Sequence, residues 1–247
     1  MTKKLIFILS LCMMVTMMFG IKVSNSQGKY TLEDLEQEGG VNLDAADYFL
    51  NKNFYFARVY PPRIDSQAQY LEIEKELKTV ISVMESELSE VSDDVELLWR
   101  LGYASTMTYN LDWPGSKTKI KKYFDKLFEM DPEHKFGHLY YGAHLAQTGD
   151  KLDIKESISH LEKAYSYGFD VTLTMLGIAY MQTGDNVKAL EYFKRFRDKF
   201  PNDKQINMLI EGIEQGDDYT VHSVSVDKNG KRKERKIESL NNSDRDF

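Results

Sequence analysis

The chain has 247 residues, 42% of them hydrophobic and 29% charged, which fits one ordinary globular domain with or without extensions. A formal net charge of −7 argues against a general nucleic-acid-binding role. The single cysteine, Cys12, excludes an intrachain disulfide.

Residues 1–26 read as a secretory signal. Lys3 and Lys4 precede an apolar run from Leu5 to Ile21, and Ser24 and Ser26 stand at the small-residue positions before a cleavage point between Ser26 and Gln27. Two alternatives stay open. The apolar run is about 17 residues long, the lower limit for a retained membrane anchor. Leu9-Ser10-Leu11-Cys12 is a poor lipoprotein box that would make Cys12 a lipid anchor. Cleavage leaves 29 basic residues against 39 acidic ones, a net charge of −10, and removes the cysteine and with it thiolate metal or redox chemistry. The compartment expected is a bacterial periplasm or the exterior.

The segment 27–65 is expected to be an aromatic-rich N-terminal extension. Thr31 and Asp34 have the spacing of a short helix start, and Gly39-Gly40 ends it. Tyr48, Phe49, Phe54, Tyr55, Phe56 and Tyr60 fall in one helix over 44–60, stopped by Pro61-Pro62, and read as a lid on the core.

The helical domain is placed at 66–214. From Ser66 to about Val91, Tyr70, Ile73, Leu77, Ile81, Met84 and Leu88 recur at three and four residues and define one stripe, with a Glu- and Lys-rich solvated face opposite. Asp93 and Glu96 have capping-box spacing for the next helix. Three helical hairpins follow, at about 93–132, 133–169 and 170–201. The tetrapeptide Gln-Thr-Gly-Asp occurs at 147–150 and again at 182–185, 35 residues later, and Gly142 and Gly177 each precede its glycine by seven. In the third hairpin Asp170 is the expected N-cap, Leu173, Leu176, Gly177 and Tyr180 line the first helix, and Gly184-Asp185 makes the turn. Ala189, Phe193 and Phe196 stripe the second helix before Pro201.

This third hairpin resembles a tetratricopeptide repeat, whose pattern runs W-x2-L-G-x2-Y, then A-x3-F, then P. Leu173 stands in place of the aromatic, and Phe196 occupies a position usually small. The second hairpin matches through Tyr141, Gly142, Leu145, Gly149, Leu161 and Ala164, with about three extra residues around Lys151–Ile154. The first matches through Leu101, Gly102, Phe124, Leu127 and Pro132, with Trp99 one place late. About six extra residues there, around Asn110–Lys117, are expected to project from the stack. The resemblance covers about residues 93–201. It implies an all-α fold, a right-handed solenoid of about three helical hairpins, flanked by N-terminal helices and a C-terminal capping helix.

That cap is expected at 203–214, with Ile206, Leu209, Ile210 and Ile213 on one face. Beyond it, 215–247 reads as a polar and basic tail. Its alternation over Tyr219–Val226 and the turn signal Asp227–Gly230 suit a marginal β-hairpin, and the run from Lys231 is expected to be disordered.

Chemistry-bearing patterns are scarce. His134 and His138 share a helix face at i, i+4 but have no third ligand, and His138 and His144 face apart. Asp227-Lys228-Asn229-Gly230 lacks the ligand spacing of a calcium loop. Pairs such as Glu211 and Glu214 lie on solvated faces. No nucleophile elbow or phosphate loop appears, so no metal, cofactor or enzymatic activity is expected.

What remains is the concave face that the repeat family uses for partners. The resemblance places Trp99, Tyr103 and Met107 there from the first hairpin, Leu139, Ala143 and Gln147 from the second, and Thr174, Ile178 and Gln182 from the third. The set is apolar with a few amides and lacks the Lys, Asn and Arg with which some family members clamp a carboxylate. It suits a protein or peptide partner with hydrophobic anchors, Trp99 and Tyr103 being the contacts expected to dominate. The same residues are core if residues 44–60 or 66–91 pack into the groove. A further alternative is a small-ligand-binding or transport-accessory protein, with a pocket between the aromatic segment and the stack.

Overall fold

The computed structural model describes residues 29–91, 94–216, 221–226 and 232–237. The predicted signal segment 1–26, the cleavage point at Ser26, the anchor alternative at Cys12 and the turn Asp227–Gly230 lie outside them. The described chain is predominantly helical, in the order α1 (Leu43–Ala57), α2 (Gln67–Val91), α3 (Val95–Asn110), α4 (Ser116–Met130), α5 (Lys135–Leu145), α6 (Lys151–Ser166), α7 (Thr172–Gln182), α8 (Asn186–Lys199) and α9 (Lys204–Glu214). It divides into two compact units, one ending at Gly137 and one beginning at His138.

In the first unit a 3-10 helix, Leu32–Leu35, is held at its start by Asp34, whose Oδ2 accepts from the Thr31 amide and hydroxyl at 2.6 and 3.0 Å. Two short strands follow, β1 (Glu36–Gln37) and β2 (Gly40–Val41), paired antiparallel. Asn42 caps α1 by accepting from the Ala45 amide. The α2 stripe turns Ile73, Leu77, Ile81 and Met84 inward, but the face between them is not wholly apolar: Glu76 is 7% exposed. Its Oε1 accepts from Lys52 at 2.6 Å and its Oε2 from Asn53 Nδ2 at 2.9 Å, so the buried carboxylate is paired and hydrogen-bonded.

Two local expectations change here. The cap of α3 is Asp94, whose Oδ1 accepts from the amides of Glu96 and Leu97; Asp93, the cap expected from sequence, lies outside the described residues. The loop after α3 does not project. Trp113 folds back so that its Nε1 donates to the Tyr70 hydroxyl at 3.3 Å, Lys78 lies over its ring, and Tyr60 donates to Asp112. A half-buried indole with a hydrogen-bond partner on α2 is more stable docked than extended into water.

In the second unit the doubled tetrapeptide builds two turns of one kind. Gly149 and Gly184 adopt φ of +74° and +81°, the left-handed region that favours glycine. Asp150 then caps α6 through the Leu152 and Asp153 amides, and Asp185 caps α8 through the Lys188 amide. The three extra residues around Lys151–Ile154 form the first turn of α6, because Asp150 starts the helix before them. Asp170 is no cap. Val171 precedes α7 without a side-chain cap, and the Asp170 carboxylate pairs with Lys199 at 2.9 Å. Helix α9 buries Ile206, Leu209, Ile210 and Ile213. Strands β3 (Val221–Val226) and β4 (Arg232–Ile237) pair antiparallel, and β4 falls on the basic run expected from sequence to be disordered.

The helical pairs share one contact. A Cβ on Gly102 would lie 2.8 Å from the Phe124 ring, one on Gly142 3.1 Å from Leu161, and one on Gly177 2.4 Å from the Phe193 ring. Each glycine lets the next helix bring a large apolar side chain against its backbone.

Candidate functional site

Six of the nine residues predicted to line the groove are buried. In the first unit Trp99, Tyr103 and Met107 are 7%, 2% and 0% exposed, which leaves no open anchor. Helix α1 lies against α3: Phe54 approaches Tyr103 at 5.2 Å between ring centroids, and Asn110 Nδ2 donates to the Ala57 carbonyl at 2.9 Å. The guanidinium of Arg100 grips Asp47 on α1 with both Nε and Nη2, at 2.7 and 2.8 Å. Trp99 is flanked by Phe136 at 5.0 Å and Arg100 at 4.3 Å, and its Nε1 donates to Glu96. The aromatic segment therefore occupies this face.

In the second unit Leu139, Thr174 and Ile178 are buried, Ala143 and Gln182 half-buried, and Gln147 exposed. The two motif glutamines lie at neighbouring helix ends. Gln147 Nε2 donates to the Ala143 carbonyl, and Gln182 Nε2 reaches the Ala146 carbonyl at 3.3 Å. Amides placed this way retain an oxygen for a partner to donate to.

The histidines pair differently from their spacing. His134 stacks on Trp99, and its Nδ1 accepts from the Gly137 amide. His138 meets His160 on α6, with the two Nδ1 atoms 2.8 Å apart, so one ring must donate and the other accept. Burial, with the neighbouring His138 adding to it, lowers the His160 pKa to about 4 and keeps the ring neutral at pH 7. Among the described residues no group of three or more His, Cys, Asp or Glu is arranged to hold a metal ion.

A tyrosine cluster links α6, α7 and α8. Tyr180 and Tyr192 stack at 5.4 Å, and both hydroxyls donate to Glu162 Oε1. Arg195 lies between the Tyr192 and Tyr165 rings. Burial and then Glu162 raise both phenol pKa values, that of Tyr192 to about 12. Phenols held protonated beside a carboxylate are hydrogen-bond donors in a lattice, poor nucleophiles or bases.

An open concavity lies in the first unit, between the 3-10 helix, α1 and α2. It measures about 390 Å³. Tyr30 and Tyr48 form one wall, with ring centroids 5.8 Å apart and planes at 60°, and Phe49 lies beneath. Lys52, Lys75 and Glu76 supply charge from the two long helices, and Glu33 faces in from the 3-10 helix. Sequence reasoning expected aromatics here but missed the charges. Glu76 sits between Ile73 and Leu77 on the apolar stripe, and that placement was the available signal.

No family model and no curated protein matches the chain. No helix among the described residues is long and apolar enough to cross a membrane.

Proposed function

We propose that this chain is a non-catalytic, exported helical-repeat protein of the tetratricopeptide type, which holds a protein or peptide partner in the cell envelope. The observation that carries the reading is the recurrent glycine contact. The glycine and the large residue that meets it are 22, 19 and 16 positions apart in the three hairpins, yet Gly102–Phe124, Gly142–Leu161 and Gly177–Phe193 are the same kind of contact. Insertions of six and three residues have been absorbed without losing the step, which is how a repeat tolerates length variation. On this reading the three hairpins stack as a right-handed solenoid with α9 as its cap, and residues 1–26 are removed after Ser26 on export.

The partner surface proposed is the edge carrying Gln147, Gln182 and Ala143, since Trp99 is buried against Phe136 and Tyr103 against Phe54 of α1. A photo-crosslinking amino acid placed at 147, and separately at 182, is expected to give one shared protein adduct in the native cell. The same probe at exposed Lys117 on α4 is the control. Absence of an adduct from 147 and 182, or an equal yield from 117, overturns the proposal.

A further inference from the structure

We propose that the cavity between the 3-10 helix, α1 and α2 binds a small zwitterion with an apolar body, an α-amino acid of about phenylalanine size. The inference does not rest on partner binding at Gln147 and Gln182. Its size falls within the range of small-molecule sites, roughly 300–1,000 Å³. The tilted, half-buried rings of Tyr30 and Tyr48 present the aromatic surface that a hydrophobic side chain would cover.

The charges choose the ligand class. Glu76 is committed, because its two oxygens accept from Lys52 and Asn53. Lys52 gives two of its three N–H groups to Glu72 and Glu76, at 2.8 and 2.6 Å, and keeps one. Lys75 is exposed and, among the described residues, has no carboxylate within ion-pair distance. The helices α1 and α2 thus leave an ammonium and a spare N–H for a carboxylate. From the other side the Glu33 carboxylate stays ionised, stabilised by its own backbone amide, then by Thr31 and the field of Lys75. A simple anion entering here would be repelled by Glu33, and a simple cation by Lys52 and Lys75. A molecule carrying both charges satisfies both sides. Its carboxylate would lie on Lys75 and Lys52, its ammonium toward Glu33 and its side chain on the tyrosines.

Calorimetric titration of the full chain with L-phenylalanine, 3-phenylpropionate, phenethylamine and glucose tests this. Phenylalanine is expected to bind, and each singly charged analogue to bind about tenfold more weakly. Lys75→Ala should weaken phenylalanine about tenfold and tighten phenethylamine, while Glu33→Gln should weaken phenylalanine and tighten 3-phenylpropionate. Both side chains are exposed, so the variants should keep the parent circular dichroism. No heat with phenylalanine overturns the proposal. So does 3-phenylpropionate binding as tightly, glucose binding more tightly, or either variant leaving phenylalanine affinity intact.

Discussion

His160 carries the clearest pH dependence in the described chain. Its Nδ1 is engaged with His138 at 2.8 Å, the Tyr141 ring meets it edge-on, and Tyr167 stacks on His138 from the other side. Glu156 stands 3.8 Å from Nε2, but its side chain is 52% exposed and water screens its attraction for a proton. Desolvation therefore wins, and the folded pKa of about 4 lies below the ordinary 6.5. The unfolded chain then binds the proton that the folded chain refuses. Stability is complete above about pH 6.5, falls as the pH drops toward 4 and levels off below it, with a loss of about 3 kcal/mol. Urea denaturation between pH 7.5 and 4 should show this slope, and His160→Gln should flatten it. An unchanged slope in the variant would assign the acid sensitivity elsewhere. The spacing of His134 and His138 suggested a shared face, but tertiary packing sent one ring to Trp99 and the other to α6. A contact across 22 residues between two helices leaves no local periodicity by which to read it.

At the scale of elements, the glycine step makes a graded prediction. Alanine in place of glycine inside a helix gains about 1 kcal/mol of intrinsic propensity. At Gly177 the new Cβ would sit 2.4 Å from the ring of Phe193, which is fully buried. Overpacking of that kind costs about 1 to 3 kcal/mol and should outweigh the propensity. At Gly102 the nearest ring atom of Phe124 is 2.8 Å away, and at Gly142 the closest approach is 3.0 Å, to His160 Cβ. The denaturation midpoint is thus expected to fall most for Gly177→Ala, less for Gly102→Ala and least for Gly142→Ala. Phe193→Leu should recover part of the loss at 177, and equal midpoints for all three would deny the shared step. The helices themselves were legible because apolar spacing, Pro and Gly punctuate them locally. Caps were less so: Asp93 and Asp94 are adjacent, and only backbone geometry at 94 selects the one whose carboxylate reaches the Glu96 and Leu97 amides. The groove residues were placed by repeat position, and what covers Tyr103 is α1, about fifty residues upstream, where no spacing rule reaches.

The uncleaved 247-residue chain carries a property that no single site does, its net charge of −7 and isoelectric point near 5.4. Between pH 7 and 5.4 mutual repulsion between copies vanishes, and apolar surface decides whether they associate. Two exposed apolar side chains occupy matching places after the doubled tetrapeptide: Leu152, 75% exposed, and Val187, 81% exposed, each the second residue of its helix. Light scattering at pH 5.4 and fixed salt should therefore rise with concentration, and Leu152→Glu with Val187→Glu should suppress the rise. A glutamate in the first turn of α6 and α8 lies at the positive end of the helix dipole, so folding stability should hold or improve slightly. The acid destabilisation at His160 is independent of concentration, which separates it from association. His160→Gln should flatten the denaturation slope without altering the scattering, and the double Glu variant should do the reverse. If instead the Glu variant scatters like the parent while keeping its fold, the repeated apolar position contributes nothing to association. The attraction then resides in other surface of the chain.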